Sequence, residues 1–261
     1  MLRRDWIGSP NYSNRNSTVR LIVLHTAEGA LTYQSLGNYF ANPGSQVSSH
    51  TGIDDTPGVV GEYVRAADKA WTAANANPVA VQAELCAFAE WSAQQWADHD
   101  AMLDNAARWV AEECARFGIP IRRLSAAEAQ GGAAGVCQHV DLGSWGGGHW
   151  DCGPGFPMDS VLARAGGVPG LPPSGAVPPP STAGGAAPPW PGTLLVNYTE
   201  GHGTIDWQRQ MSVRGWRIAV DDAYGDQSEG VCLDFQEEKG LDLDGVVGPE
   251  TWRAAWELPI T

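Results

Sequence analysis

The pattern of apolar and polar positions divides the first 166 residues into short strand-like and helix-like segments. Residues 21–24 (LIVL) form a continuous apolar run, which is typical of a central strand buried on both faces. Residues 47–53, 59–64, 79–88 and 136–139 are also strand-like, whereas 31–40, 101–117 and 158–165 place apolar side chains at helical spacing. The pattern predicts an α/β fold at residues 1–166, with a mixed central β-sheet flanked by helices.

A segment rich in proline, glycine and alanine follows at residues 167–191. It has no apolar period and cannot bury a core, so we expect a tether between two folding units. Residues 192–261 contain three helical patterns and a weak internal repeat, in which 220–228 parallels 243–251. We therefore expect a second, small all-α domain of three helices at 192–261.

Composition excludes several classes of partner. The 261 residues include 30 Asp and Glu against 16 Lys and Arg, a formal net charge of −14. Nucleic-acid binding needs a basic face, so we expect no nucleic-acid partner. No apolar run is long enough to span a membrane, and the first residues lack the apolar stretch of a secretory signal. The five scattered cysteines predict synthesis in a reducing cytoplasm. We also expect a monomer without membrane insertion.

Histidines mark the candidate chemistry. His25 directly follows the buried run 21–24, and His139 ends the run 136–139. Asp151 and Cys152 lie in a glycine-rich loop, directly after His149 and Trp150. Two histidines with one carboxylate or thiolate, leaving one position for water, form a standard catalytic zinc set. Isolated histidines are also common in cores and on surfaces, so spacing alone leaves both interpretations open.

Four motifs, in order, resemble the zinc-dependent N-acetylmuramoyl-L-alanine amidases, the type 2 amidases that share their fold with the peptidoglycan recognition proteins. The motifs are residues 23–29 (VLHTAEG), 47–53 (VSSHTGI), Asn77 with 81–85 (VQAEL), and 149–154 (HWDCGP). Residues 205–256 resemble the helical peptidoglycan-binding domain. The resemblance implies a Zn²⁺ enzyme that hydrolyses the amide between the lactyl group of N-acetylmuramic acid and L-alanine in peptidoglycan.

Carried over by position, the resemblance implies that His25, His139 and Asp151 are the metal ligands. Cys152 is the alternative third ligand, because relatives use either Asp or Cys. Adjacent side chains on an extended segment point apart, so Asp151 and Cys152 do not both reach one ion.

The same resemblance implies that Glu84 is the general base and then the general acid. The alternative for Glu84 is a solvated strand edge, but the apolar residues around it favour burial. His149 stands where relatives often carry a lysine, which implies that it stabilises the oxyanion; the alternative is a bystander in a loop. Ser49 stands where some relatives have a catalytic tyrosine.

Three further residues are predicted to contact substrate: His50, Trp71 and Trp150. For His50 a structural role in the sheet is the alternative. Trp71 is followed by Thr72, which departs from the Trp-His pair of many relatives.

An amidase-like unit, a wall-binding-like unit and no secretory signal together predict a phage endolysin that acts on the cell wall after the membrane is permeabilised. One rival is a non-catalytic peptidoglycan sensor on the same fold. Such relatives lack the third ligand, so Asp151 and Cys152 count against it. The other rival is a zinc hydrolase of a different amide bond in the stem peptide.

Overall fold

The computed structural model describes residues 1–29, 31–168, 186–201 and 203–260. The tether expected at 167–191 therefore lies largely outside the described residues. The chain divides into two compact units. Within the described ranges, no helix has the length and the apolar character needed to cross a lipid bilayer.

The first unit alternates strands and helices along the chain. Its elements are β1 (Arg3–Trp6), β2 (Tyr12–Asn14), β3 (Leu21–Thr26), α1 (Tyr33–Phe40), β4 (Thr51–Ile53), β5 (Val59–Glu62), β6 (Asp68–Ala70), β7 (Ala80–Leu85), α2 (Ala93–Ala97), α3 (Asp100–Phe117), α4 (Ala126–Gln130), β8 (Gly135–Gln138) and α5 (Met158–Gly166). Three 3-10 helices lie at Pro43–Ser45, Ala74–Val79 and His139–Gly146.

A six-stranded sheet with the order β1-β5-β4-β7-β3-β8 organises this unit. Strands β4, β7, β3 and β8 are parallel to one another, whereas β5 runs antiparallel to β4. All six residues of β3 are buried, as the continuous apolar run predicted. The carboxyl ends of the four parallel strands therefore meet along one edge of the sheet.

The two faces of the sheet carry different layers. Leu21 and Val23 point into a small core that includes Ala80, Cys137 and Leu142. Helix α3 packs against β3, β4 and β7, with α5 alongside it. The Trp109 Nε1–H of α3 donates to Thr51 Oγ1 over 3.1 Å, on the opposite face. Because side chains alternate along a strand, His25 lies on the face of Leu21 and Val23, away from α3.

Strand structure in the segment 47–53 is shorter than the sequence pattern predicted. Only Thr51–Ile53 pairs in the sheet. Ser48 instead donates from its Oγ to Asn11 O over 2.5 Å and accepts from the Trp71 backbone N–H over 3.0 Å. These bonds tie the start of the segment to loops rather than to a neighbouring strand.

Strand β1 has no apolar pattern and was not predicted. It pairs in parallel with β5, and ion pairs reinforce this contact: the Arg4 guanidinium lies 2.7–2.9 Å from carboxylate oxygens of Glu62, Glu112 and Glu113. The pairing partners come from β5 and α3, so no local pattern around Arg4 indicates a strand.

Among its described residues, the second unit has three helices, α6 (Thr204–Val213), α7 (Asp226–Lys239) and α8 (Pro249–Glu257), and a two-stranded pairing of β9 (Thr199–Glu200) with β10 (Ala223–Tyr224). Trp207, Phe235 and Trp252 lie in its core. The predicted fold class is confirmed: a mixed sheet flanked by helices, and a small helical unit. Ala187 and Trp190, which the sequence placed in the tether, pack against this second core.

Two buried glutamines show that the internal repeat is structural. Gln208 and Gln236 each accept two successive backbone N–H groups at Oε1 and each donate from Nε2 to a carboxylate and a hydroxyl. Gln208 accepts from the N–H groups of Asp221 and Asp222 and donates to the Asp221 carboxylate and the Ser228 hydroxyl. Gln236 accepts from the N–H groups of Asp244 and Gly245 and donates to the Asp244 carboxylate and the Thr251 hydroxyl. Each glutamine thus anchors the loop that precedes the next helix.

Candidate metal centre and cleft

Three candidate residues meet at the carboxyl edge of the parallel strands. His25 is the fifth residue of β3 and pairs in parallel register with Glu84 of β7. His139 directly follows β8, the other neighbour of β3. Paired residues of parallel strands point to the same face, so His25 and Glu84 lie side by side. The topology therefore brings His25 and His139, which are 114 positions apart in the sequence, next to each other.

Asp151 completes a cluster with the two histidines. The Nδ1 atoms of His25 and His139 are 2.9 Å apart, and Asp151 carboxylate oxygens lie 3.4 Å and 3.2 Å from them, respectively. Candidate ligand atoms of all three residues lie within 4.8 Å of one another, and all three side chains are buried. The Asp151 backbone carbonyl accepts from Val140 N–H over 2.7 Å, which holds the loop against the segment after His139.

The two distances to Asp151, 3.2 Å and 3.4 Å, fit a tetrahedral metal, whereas the two Nδ1 atoms lie closer together than one ion would hold them. Ligand atoms bonded to one zinc ion at about 2.0–2.1 Å lie about 3.3–3.4 Å from one another. The outer nitrogen of His139, Nε2, is 2.7 Å from the Gly146 carbonyl oxygen. A carbonyl oxygen only accepts, so Nε2 carries the proton and the neutral ring presents a lone pair at Nδ1. Two imidazoles and a carboxylate are a common zinc donor set.

The ionisation of Asp151 and of His25 suits a cation. Burial alone would raise the pKa of Asp151, but the adjacent imidazoles of His139 and His25 outweigh it and hold that pKa well below its usual range. Burial lowers the pKa of His25. For His139 burial acts in the same direction, but Asp151 outweighs it and the pKa is raised. The cluster therefore presents a carboxylate, not a carboxylic acid, at neutral pH.

Glu84 is the second acidic group of the site, with 9% of its surface exposed. Burial, followed by the negative charges of Asp151 and Glu28, raises its pKa to about 8. Without a nearby cation, Glu84 is mostly protonated at pH 7. A carboxyl group whose pKa lies near neutrality can both take and give a proton there.

A cleft of about 420 Å³ opens over the cluster. Its polar part includes His25, Glu84, His139 and Asp151, and its apolar part is formed by side chains that follow β3 or belong to α1 and the segment before β4. The apolar lining includes Leu31, Leu36, Tyr39, Phe40 and Val47. Of these, Leu31, Tyr39 and Val47 are more than a third exposed, so the cleft offers solvent-accessible apolar surface beside charged groups.

His149 and Trp71 line the same cleft. The His149 ring stacks on His139, with ring centroids 4.6 Å apart and planes 16° from parallel, and the residue is exposed. Trp71 donates from Nε1 to Ser13 Oγ over 2.9 Å, so the hydrogen-bonding edge of its ring is already satisfied. Both residues thus line the cleft that contains the cluster; the oxyanion role of His149 and the substrate contact of Trp71 stay predictions.

His50 does not line the cleft, contrary to the predicted substrate contact. It is buried beside Arg15, with His50 Nε2 3.0 Å from Arg15 Nη2. His50 Nδ1 accepts from the Gln82 N–H over 3.1 Å, and Nε2 lies 3.1 Å from Asp68 O. Burial and the Arg15 charge lower the pKa of His50 to about 3, so it is a neutral residue of the sheet interior.

Trp150 and Cys152 also lie apart from the cluster. Trp150 is 54% exposed and is not among the residues that line the cleft. Cys152 is fully buried, and burial raises the pKa of its thiol well above the usual value. A thiolate is the form that binds metal, so this environment favours Asp151 over Cys152 as third ligand.

Two polar residues of the site were missed in the sequence. Glu28 lines the cleft in a left-handed backbone conformation, φ 54°, with Oε1 accepting from Thr26 Oγ1 over 2.6 Å. Gln82 is fully buried, with Oε1 3.0 Å from His25 Nε2. The available signal for Gln82 was its position in β7, two residues before Glu84 and hence on the same face.

Comparison with known proteins gives matches for both units. A model of the family described as N-acetylmuramoyl-L-alanine amidase matches residues 15–155, more than half of the chain. A model of a family described as a peptidoglycan binding domain matches residues 203–255.

Two individual relatives resemble the first unit. N-acetylmuramoyl-L-alanine amidase A of Achromobacter lyticus is 33% identical over 115 residues, which are 42% of this chain and 60% of that protein. This chain thus spans 60% of the length of that relative. A crystal structure of the Staphylococcus aureus hydrolase AmiA in complex with its ligand has a TM-score of 0.50 at 19% identity, covering 63% of this chain and 81% of that one. At this identity the likeness supports the fold.

Metal binding by the cluster can be tested by substituting one of its residues. Substituting His139→Ala removes one of the converging donors, so zinc bound after dialysis, measured by inductively coupled plasma mass spectrometry, should fall from a single ion per chain to near zero. Cys152→Ser is the matched control, since its side chain is buried and outside the cluster, and it should retain the ion. If the Cys152→Ser variant lost its zinc, the Cys152 thiol would be the third ligand in place of Asp151.

The raised pKa of Glu84 predicts how the free energy of unfolding of the metal-free protein depends on pH. Its pKa is raised from 4.5 to about 8 on folding, so the protonated form stabilises the native state fully below pH 4.5, and this contribution is lost as pH rises through 8. Relative to Glu84→Gln, which cannot ionise, the wild-type free energy of unfolding should fall by up to about 1.4 kcal/mol per pH unit in that window. Urea unfolding of both proteins across the window measures it, and parallel pH profiles would contradict it.

Proposed function

The chain belongs to the N-acetylmuramoyl-L-alanine amidase family, and on that premise we propose that it is a zinc-dependent amidase that cleaves the bond between the lactyl group of N-acetylmuramic acid and L-alanine in peptidoglycan. The observation that carries the proposal is the convergence of His25, His139 and Asp151 on one point beside Glu84. The relative from Achromobacter lyticus bears the name of this activity.

The residues of the cluster would hold zinc through His25 Nδ1, His139 Nδ1 and an Asp151 oxygen. When bound, zinc supplies a Lewis acid that polarises the scissile carbonyl and makes water more acidic. Glu84 takes the proton of the attacking water and passes it to the leaving L-alanine amine. Its burial and raised pKa keep the carboxyl group able to bind that proton near neutral pH.

His149 acts on the oxyanion in this proposal. Its ring lies at the edge of the cleft, stacked on His139, and an imidazole N–H directed at the tetrahedral intermediate stabilises the negative charge that develops there. The stacking restricts the plane of the His149 ring without using its ring nitrogens. His149 therefore takes the place that a lysine has in the relatives that the sequence resembles.

The apolar part of the cleft binds the uncharged parts of the substrate. Tyr39 and Trp71 present ring surface, and Leu31 and Val47 present aliphatic surface, all within the cleft that contains the cluster. Aromatic rings pack well against the apolar faces of sugars and against methyl groups. A net charge of −14 disfavours attraction to an anionic wall, so shaped contacts of this kind carry recognition.

The second unit is proposed to hold the enzyme on the wall. Residues 203–255 match the peptidoglycan binding domain family, and Gln208 and Gln236 accept hydrogen bonds from the backbone of its loops. Binding one site on an insoluble substrate raises the effective concentration of the catalytic unit at neighbouring bonds. We place the catalytic unit at residues 1–166 and the wall-binding unit at 192–261, with Ala187 and Trp190 packing onto the latter.

The reaction itself is tested by the products of wall digestion. Purified zinc-loaded protein should release stem peptides with a new N-terminal L-alanine and leave a free lactyl carboxylate, both identified by mass spectrometry. Glu84→Gln should keep its zinc and be slower by about 10²-fold or more, because the proton transfer is lost. Products cut inside the stem peptide would favour a different zinc hydrolase, and zinc-free, inactive protein would favour the non-catalytic sensor.

The role of the second unit is tested by truncation. Removing residues 186–261 should leave kcat/KM on a small soluble muropeptide unchanged, while clearing of purified cell walls slows by about tenfold or more. Clearing is followed as loss of turbidity. An equal loss on both substrates would mean that residues 186–261 are part of the catalytic fold.

A role in host lysis by a bacteriophage is proposed from the cysteines. All five are free and buried, which suits synthesis in a reducing cytoplasm. The wall then lies across the membrane from the enzyme. In the same turbidity assay, cells that express the protein should lyse only after the membrane is permeabilised.

A further inference from the structure

We propose that Gln82 and Asn77 are positioning residues that fix the tautomer and the orientation of His25, so that its Nδ1 lone pair is directed at the metal site. The inference rests on the proposed zinc-dependent function and deepens it. It is carried by a chain of hydrogen bonds that begins at two backbone N–H groups and ends at His25.

The first step fixes the side-chain amide of Asn77. One of its terminal atoms lies 2.6 Å from the Ala73 nitrogen and 3.1 Å from the Thr72 nitrogen. Backbone N–H groups only donate, so that atom is the carbonyl oxygen Oδ1. The opposite assignment would set the NH₂ group of Asn77 against two other donors.

The second step fixes Gln82. Its Nε2 is 2.9 Å from Asn77 Oδ1, an atom already shown to be an acceptor. The Gln82 atom facing Asn77 must therefore be the NH₂ group. The other terminal atom, Oε1, then faces His25 Nε2 at 3.0 Å.

The third step fixes His25. Gln82 Oε1 can only accept, so His25 Nε2 carries the proton and a neutral ring has its lone pair at Nδ1. That Nδ1 lies 2.9 Å from His139 Nδ1 and 3.4 Å from Asp151 Oδ2. In the other tautomer, Nδ1 would carry a hydrogen and could not bind a metal ion.

The backbone of Gln82 is also held on both sides. Its N–H donates to His50 Nδ1 over 3.1 Å, and its carbonyl accepts from Ser49 Oγ over 3.0 Å and from the His50 N–H over 3.2 Å. Gln82 is fully buried, so water does not compete for these bonds. This gives His50 a role in the sheet: it anchors the strand residue that orients His25.

A matched pair of variants at Asn77 tests the chain, together with Gln82→Met. Gln82→Met keeps the side-chain length but removes the acceptor, so zinc affinity, measured by competition with a chromogenic chelator, should fall by about 10–100-fold. Asn77→Asp keeps an acceptor for all three donors and should retain wild-type affinity. Asn77→Leu removes that acceptor and should lower affinity in the same direction as Gln82→Met.

A second measurement separates positioning from simple packing. The ¹⁵N chemical shifts of the His25 ring nitrogens in metal-free protein distinguish a protonated from an unprotonated nitrogen. Wild type and Asn77→Asp should show a protonated Nε2, whereas Gln82→Met and Asn77→Leu should show a tautomer mixture. If Gln82→Met does not fold, the Asn77 pair gives the same comparison.

The outcomes distinguish this inference from the proposed function. Wild-type protein that binds no zinc would contradict the zinc-dependent function itself. Wild type that binds zinc, together with a folded Gln82→Met or Asn77→Leu that binds it equally tightly and keeps Nε2 protonated, would overturn the positioning role and leave the function intact.

Discussion

Two imidazole nitrogens and a carboxylate held within hydrogen-bonding distance of one another are the constraint on which this structure depends. Lone pairs of His25 and His139 face each other across 2.9 Å beside the Asp151 carboxylate. Such an arrangement of acceptors is stable only with a cation or a shared proton between them. The surrounding fold supplies the rigidity: His25 sits at the end of a fully buried strand, and His139 follows the next strand.

The outer contacts of the two histidines complete this arrangement. His139 donates to the Gly146 carbonyl, and His25 to an amide chain through Gln82 and Asn77. Both rings thereby present the same nitrogen, Nδ1, to the centre. Glu84 stands outside the donor set but next to His25 in the sheet, where burial and neighbouring charge raise its pKa. In the proposed mechanism, orientation and proton transfer thus fall to different buried groups: Gln82 and Asn77 orient His25, and Glu84 moves a proton.

The second unit uses the same physical device for a different purpose. Gln208 and Gln236 are buried amides that satisfy the backbone of a loop, as Asn77 does in the first unit. A small helical unit has little apolar surface to bury, so satisfied buried polar groups help to specify one loop conformation. The weak repeat in the sequence is the trace of these two equivalent anchors.

Local pattern determined much of this protein. The apolar run 21–24 specified a buried central strand, the helical period specified α3, and the order of motifs indicated the family. The motifs also led to the predictions of His25, His139, Asp151 and Glu84, which the structure brings close together. These features depend on periodicity and on residue type at strand ends, which a sequence records directly. Only the tertiary structure decided that His50 faces the interior, that Trp150 lies away from the cleft, and that Gln82 reaches His25. Those outcomes depend on which strands pair and on what each face meets, and contacts between distant segments leave no local pattern to read.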